Sequence, residues 1–319
     1  MNFAWIAAGV VVVLLGGSYL TYRFVFCTSN RRKTDIHSIP KGEQYQKDKQ
    51  RMLELIDTLD AVAYEQVCIR SKDGLKLVAK YYHRHDNAPL AICFHGYRST
   101  GIRDFSGGVQ IAFRQGQNVL LVDQRAQGLS EGHSMTFGVM ERYDCLAWIA
   151  YAVQRFGAET KIALYGVSMG AATVLMASGL ELPENVVGIV ADCPYTTPPA
   201  IIQKVCRDVK LPVAVIYPFI ATGAFLFGRF RLSDGSAVEA VKQTAVPILI
   251  IHGEDDRFVP CEMSREIQNA NPEMVRRYTF AYAGHGLSYI VDPERYETLV
   301  KSFLHMILED NHPFSERET

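Results

Sequence analysis

The sequence predicts an α/β fold, a mostly parallel eight-stranded sheet with helices on both faces, and three observations predict it. Short apolar runs at residues 90–94, 119–122, 162–164, 186–191, 248–251 and 277–281 are each followed by a helix-length segment. Continuous apolar strands alternating with helices imply a parallel sheet covered on both sides. Ahead of them, two strand-like runs at 62–69 and 75–82 are joined through Lys72-Asp73-Gly74, which reads as a hairpin. The third observation is the stretch Leu164-Tyr165-Gly166-Val167-Ser168-Met169-Gly170-Ala171-Ala172. It sets G-x-S-x-G between an apolar run at 161–164 and a helix-type run at 171–180. A strand turning sharply into a helix holds a serine hydroxyl exposed on a strained backbone. The helix N-terminus beneath it presents N–H groups that suit a developing oxyanion.

At 319 residues the chain can bury one large core or two modest ones. The formal net charge of −1 and the absence of a basic stripe give nucleic acid no footprint. The seven cysteines, Cys27, Cys68, Cys93, Cys145, Cys193, Cys206 and Cys261, form no C-x-x-C pair. An odd, scattered set of this kind reads as free thiols in a reducing compartment, not as a disulfide frame or a zinc site. Cys93 and Cys193 fall in apolar runs, where a small buried hydrophobe is the expected role.

Taken in order, residues 3–26 are almost wholly apolar and exceed the ~20 residues needed to cross a bilayer core. They are expected to form a transmembrane anchor over 1–27, with Trp5 and the Tyr19/Tyr22 pair at the two interfaces. A cleaved signal peptide is the rival, leaving a secreted or extracytoplasmic body. It is disfavoured by the absence of Lys or Arg before the run and of an A-x-A site after it. Arg23, Arg31, Arg32 and Lys33 follow the span, so the positive-inside rule puts the body on the cytoplasmic side. Cys27 at the membrane edge is expected to stay unmodified. Residues 28–60 read as a linker ending in a short amphipathic helix at 49–59, residues 61–310 as the main domain, and 311–319 as a tail. Between 194 and 246 the alternation lapses, with Pro198, Pro199, Pro212 and Pro218 and an apolar patch at 211–230. A second membrane span is the alternative there. The internal prolines and the position between two strands favour an inserted lid of short helices over an apolar substrate site.

A serine hydroxyl needs a base within hydrogen-bond reach, and the base needs a group that fixes its tautomer. Both follow Ser168 in the order acid, then histidine. His252-Gly253-Glu254-Asp255-Asp256 comes after the run at 248–251, and Ala283-Gly284-His285-Gly286 after the last strand-like run. Each lies just past the C-terminal end of a parallel strand, where open α/β sheets carry their ligand-handling loops. Ser168 is thus the candidate nucleophile, His285 the base, and Asp255 or Asp256 the acid. His95 and His252, each before a glycine at a strand end, read as structural loop histidines. His83 and His85 have no third ligand nearby and read as a solvated strand end; His133 reads as a surface loop residue. No cofactor or metal site is expected.

With these motifs in place, the chain resembles the α/β-hydrolases over roughly residues 61–310. The resemblance rests on Phe94-His95-Gly96-Tyr97, on 123–130 (DQRAQGLS), on the G-x-S-x-G turn, on the 253–260 loop and on the final Gly-His-Gly. It implies an inserted lid, Asp256 as the triad acid with Asp255 its neighbour, and an oxyanion hole from the backbone N–H groups of Tyr97 and Met169. The chain departs from D-x-R-G-x-G-x-S by carrying Ala126 and Gln127, which bears on subfamily and pocket shape. More narrowly it resembles bacterial membrane-anchored hydrolases of the esterase and serine-aminopeptidase-like group. The activity this implies is cleavage of carboxylic esters, small-molecule or lipid-like, with an apolar acyl group. Peptidase or thioesterase activity on the same triad is the first alternative. A membrane-tethered interaction protein without turnover is the second. The natural substrate and the oligomeric state are not legible in the sequence.

Overall fold

The computed structural model describes residues 2–28 and 35–309. The orientation argument from Arg31, Arg32 and Lys33 and the tail at 311–319 fall outside the described residues. The sheet has eight strands in the order β1-β2-β4-β3-β5-β6-β7-β8. These are β1 (Glu65–Arg70), β2 (Lys76–Tyr82), β3 (Leu90–Phe94), β4 (Asn118–Asp123), β5 (Ile162–Val167), β6 (Val186–Asp192), β7 (Ile248–Gly253) and β8 (Val275–Phe280). The hairpin β1–β2 runs antiparallel and β2 is antiparallel to β4; the remaining pairings are parallel. The last strand starts two residues earlier than the apolar run suggests, because Val275 at its head is fully buried while Arg276 and Arg277 lie half-covered at the sheet edge.

The central strands are buried end to end, as a sheet clothed on both faces requires. One face is covered by α3 (Lys49–Asp60), α4 (Gly101–Arg114) and α12 (Pro293–Glu309), which bury Ile56, Leu59, Val109, Phe303 and Leu304. The other is covered by α5 (Glu141–Phe156) and α6 (Met169–Ala177), with Trp148 fully enclosed. No residue of α6 is exposed. Burial on all sides explains why its sequence shows no amphipathic stripe. Two short helices, α10 (Cys261–Ala270) and α11 (Ser288–Val291), follow β7 and β8.

Between β6 and β7 the chain forms an insertion of α7 (Pro198–Asp208), α8 (Val213–Gly223), a π-helical turn (Ala224–Gly228), a 3-10 turn (Leu232–Asp234) and α9 (Ala237–Val241). Thr197 caps α7 by accepting from the Ala200 N–H, and Pro198 and Pro199 occupy its first turn, where their missing donors cost nothing.

The N-terminal helix α1 (Asn2–Phe26) is one unbroken apolar element, and its last turns enter the body. Ser18, Tyr22, Phe26 and Cys27 are buried. The Phe26 ring meets Phe137 and Phe230 edge-on at 5.8 and 5.2 Å, and its carbonyl accepts from the Met135 N–H at 2.9 Å. Tyr22 and Ser134 share a hydroxyl–hydroxyl bond of 2.6 Å. Between α1 and α3 lies a short helix, α2 (Glu43–Gln46), whose Gln44 and Tyr45 meet the loop that follows β8.

Candidate active site

Ser168 stands between β5 and α6 with φ 55° and ψ −113°. A non-glycine residue in that region is strained, and such strain is held only where the surroundings over-determine it. Here the Ser168 N–H donates to the Asp192 carbonyl at 2.8 Å. The turn also runs so close to β3 that a Cβ at Gly170 would overlap the Phe94 carbonyl. The backbone path therefore requires glycine at 170 and pushes the serine hydroxyl out over the sheet edge.

The structure brings Ser168, His285 and Asp256 together. Ser168 Oγ and His285 Nε2 lie 2.9 Å apart, and His285 Nδ1 and Asp256 Oδ2 2.7 Å apart. Asp256 Oδ1 accepts from the N–H groups of Phe258 and Val259, both at 2.8 Å. Burial alone would raise the Asp256 carboxyl, but the charge of His285 and the hydrogen bonds from His252 and His285 outweigh it. The carboxyl is held well below the usual carboxylate range. Asp255, its neighbour, is exposed. Consecutive residues of this loop point to opposite sides, and only Asp256 faces the imidazole. Phe258 flanks the histidine, ring centres 5.1 Å apart.

Met169 opens α6, so its N–H belongs to the first turn, which has no partner within the helix. Tyr97 follows Gly96 on the loop after β3, where a Cβ at Gly96 would sit 3.5 Å from the Ser168 Cβ. Met169 is thus next to Ser168 in the chain, and Tyr97 follows a glycine that approaches it in space. The loop is braced by Asp104, near the start of α4. Its Oδ2 accepts from the Gly96 N–H at 2.7 Å, and its Oδ1 is bonded to the Ser99 hydroxyl. On the other side, the Tyr97 hydroxyl donates to the Val25 carbonyl and Arg98 to the carbonyls of Phe24 and Cys27.

A cavity of about 330 Å³ opens beside Ser168 and His285. Its walls are mostly apolar, among them Ile111, Tyr165, Val190 and Val300, with Asp104 and Asp192 as the carboxylates. Asp192 accepts from the Tyr296 hydroxyl at 3.1 Å, while its Oδ1 has no protein partner. Burial pushes this carboxyl up to about 6, against the pull of His252 and Tyr296. Pro40, Gln44 and Tyr45 roof the cavity, and no residue of the insertion at 194–246 lines it, so the cover over this site comes from the stretch before α3 and not from the expected lid. The Tyr45 hydroxyl donates to the His285 carbonyl at 3.1 Å, and the Gln44 side chain packs on Gly284.

Four contributions are not legible as local motifs. His252 is a structural loop histidine, fully buried with Nε2 3.0 Å from the Val259 carbonyl, and the same nitrogen lies 3.2 Å from Asp256 Oδ2, a contact with the acid that its sequence position does not signal. Asp104 carries one signal, an acidic residue in the first turn of the helix after the Phe94-His95-Gly96-Tyr97 loop. Asp192 ends β6 beside the nucleophile turn. Tyr45 lies in the stretch read as linker. His95 behaves as expected, accepting from the Gln124 N–H and lying 2.8 Å from the Gly96 carbonyl. His83 sits at the end of β2 beside Tyr81 and Asp86, and His133 is exposed. Among the described residues, Cys193, Asp256 and His285 form the group with metal-ligand spacing, atoms within 4.8 Å. His285 Nδ1 and Asp256 Oδ2 already bond each other, and burial holds the Cys193 thiol protonated. The trio suits proton handling, not ligation.

A family model described as the α/β hydrolase fold matches residues 89–213. The chain is 23% identical over 300 residues to YqkD of Bacillus subtilis, an uncharacterised protein, covering 94% of this chain and 95% of that one. It is 25% identical over 251 residues to an uncharacterised protein of Mycobacterium tuberculosis, covering 76% and 79%. Among solved structures, the Pyrococcus furiosus esterase Pf2001 superposes with a TM-score of 0.65 at 24% identity, over 77% of this chain and 92% of that one. Est1E of Butyrivibrio proteoclasticus, solved with ferulic acid bound, gives 0.58 at 21% identity, over 76% and 99%. At these identities the structural likeness speaks for the fold.

Proposed function

We propose that this chain, which has the α/β-hydrolase fold, is a serine hydrolase of carboxylic esters, held in a membrane by α1 with its catalytic body on the cytoplasmic side. The observation that carries the reading is the continuous hydrogen-bond path Ser168–His285–Asp256, with steps of 2.9 and 2.7 Å. As Ser168 Oγ attacks the acyl carbon, His285 Nε2 takes its proton. Asp256, accepting from Nδ1–H, fixes the tautomer and stabilises the imidazolium. The N–H groups of Met169 and Tyr97 receive the oxyanion, each worth ~3 kcal/mol in the transition state. The intermediate collapses as His285 protonates the departing alcohol; a water deprotonated by His285 then hydrolyses the acyl-enzyme. The apolar walls around Ile111 and Val300 favour an apolar acyl group.

The membrane assignment is supported by the apolar length of α1, the exposed faces of Val10 through Leu15, and Arg23 at its body end. Burial of Tyr22 and Phe26 in the body favours retention of the helix over its cleavage as a signal peptide.

A second reading has one observation in its favour. The unpartnered Oδ1 of Asp192 on the cavity wall suits a substrate bearing a hydrogen-bond donor, as an aminoacyl ester or a peptide would.

The test is fluorophosphonate labelling of the full chain and of Ser168→Ala, followed by turnover of p-nitrophenyl esters, acyl thioesters and aminoacyl amides. Labelling and ester hydrolysis that disappear together in Ser168→Ala are expected. Near-wild-type turnover by the variant sinks the assignment, and a folded but unlabelled wild type supports a non-catalytic interaction protein. Faster turnover of aminoacyl amides or thioesters than of esters selects the alternative substrate class.

A further inference from the structure

We infer that α8 and the π-helical turn after it form a second lipid-embedded element, lying in the bilayer beside α1, so that the insertion over the catalytic domain is itself part of the membrane contact. The inference rests on the reading of α1 as a membrane anchor and extends it to a segment that contains none of the catalytic residues.

The first support is length. A bilayer core about 30 Å thick takes ~20 helical residues. Gly17 of α1 already packs against the Phe219 ring, and a Cβ on Gly223 would run into Ser18 and Tyr22. The part of α1 that stands clear of the insertion therefore ends near Gly16. From Asn2 to Gly16 the helix rises only about 21 Å. For α1 to cross, lipid must reach past the level at which Phe219 and Gly223 pack on it, and α8 lies at that level.

The second support is what α8 shows to its surroundings. From Leu211 to Gly228 the chain carries no charged residue, and the stretch is bounded by Lys210 and Arg229. Leu211, Val215, Phe225, Leu226 and Phe227 are exposed, at 44, 55, 50, 45 and 38%. A helix covering a water-soluble domain turns a polar face outward; this one turns an apolar face outward.

The contact between the two helices has the character of one made in lipid. Small residues, Gly17, Ser18 and Gly223, sit where the backbones approach, and Tyr19 meets Phe227 edge-on at 5.2 Å. Residue numbers rise together along the two helices, from the Gly17–Phe219 contact to the Tyr22–Gly228 contact, so their body ends coincide. At that end stand Arg23, Arg229 and Arg231, all exposed, with the Arg231 guanidinium 5.1 Å above the Phe225 ring. Cations and aromatic rings at one level mark the headgroup boundary, and the positive charge suits anionic lipid. The apolar face is thus continuous with α1 and rimmed by cations, which commits its occupant to a bilayer.

The experiment uses tryptophan emission of the full chain in phosphatidylcholine/phosphatidylglycerol vesicles with brominated or ordinary acyl chains. Trp148 is fully buried and serves as the unquenched baseline in Trp5→Phe. In that background Leu226→Trp, and independently Val215→Trp, are expected to lose about half or more of the added emission to brominated lipid, as interfacially buried rings do. Tyr282→Trp, on an exposed loop after β8 that belongs to neither helix, should lose none. The wild-type Trp5 signal reports the anchor separately. Quenching of Trp5 with none at 215 or 226 overturns the inference and leaves the anchor intact. Lack of quenching at Trp5 overturns the anchor reading on which the inference stands. Protection of 215 and 226 that depends on protein concentration in detergent, without lipid quenching, assigns the face to a second copy of the chain and also overturns it. Fluorophosphonate labelling of each variant reports on a failed Ser168 assignment without bearing on the lipid contact.

Discussion

The hydroxyl of Tyr97 donates a 2.6 Å hydrogen bond to the carbonyl of Val25. The loop proposed to receive the oxyanion is thereby fastened to the last turn of the N-terminal helix, 72 residues earlier in the chain. Tyr97 also packs on Phe137, which meets Phe26. The end of α1 thus helps to hold the loop that carries Tyr97.

Two truncations separate anchoring from this support. Removing residues 1–16 takes away only the part of α1 clear of the body, and should leave the melting temperature and kcat on a soluble ester close to those of the full chain in detergent. Removing residues 1–27 also strips Phe26 from the core. Loss of a buried phenylalanine side chain costs about 3–5 kcal/mol, so this form should melt far lower and turn over slowly. Indistinguishable truncations would show that the Tyr97–Val25 contact contributes nothing.

The two adjacent acids should behave differently. Asp256→Asn leaves the imidazole without its orienting carboxylate and is expected to lower kcat by about 10⁴-fold. Asp255→Asn, altering an exposed side chain, should stay within about twofold, as surface substitutions away from a site do. Comparable losses in the two variants would remove Asp256 from its role.

Asp104 braces the loop from the opposite side to Val25. Asp104→Ala deletes the acceptor for the Gly96 N–H and loosens the presentation of the Tyr97 N–H. A donor misplaced in the transition state should lower kcat by about 10²-fold, with KM for a small ester moving little. A rise in KM with kcat intact would instead make Asp104 a substrate-binding group.

Asp192 makes a signed pH prediction. Its carboxyl is raised to about 6 in the folded protein, so the folded state binds a proton that the unfolded chain releases near the ordinary aspartate value of about 3.9. The contribution to stability is full below the unfolded value, is lost as pH rises through the folded one, and is constant above it. Asp192→Asn removes that loss. It should match wild type at pH 4 and exceed it by up to about 3 kcal/mol at pH 7, measured by denaturant unfolding. An asparagine variant destabilised equally at both pH values would show that only the Tyr296 hydrogen bond matters.

Much of the architecture was legible because the central strands are compact apolar runs and most gaps between them hold a helix. The meeting of Ser168 and His285 was legible because a strained turn and a tight histidine loop both call for glycine neighbours. The choice of Asp256 over Asp255 came from the resemblance; the residues alone left both open, since adjacent residues in a loop differ only in the side they face. The roles of His252 and Asp104 depend on which loops meet at the C-terminal edge of the sheet, a property of topology without a local signature. The burial of Tyr22 and Phe26 was hidden for another reason: a residue facing lipid and a residue facing a protein core have the same composition.

The roof formed by Gln44 and Tyr45 belongs to the stretch whose composition is that of a tether. A leader that replaces the chain through Tyr45 would therefore leave the cavity beside Ser168 without its cover, and the substrate preference of such a chimera would be that of an unroofed site.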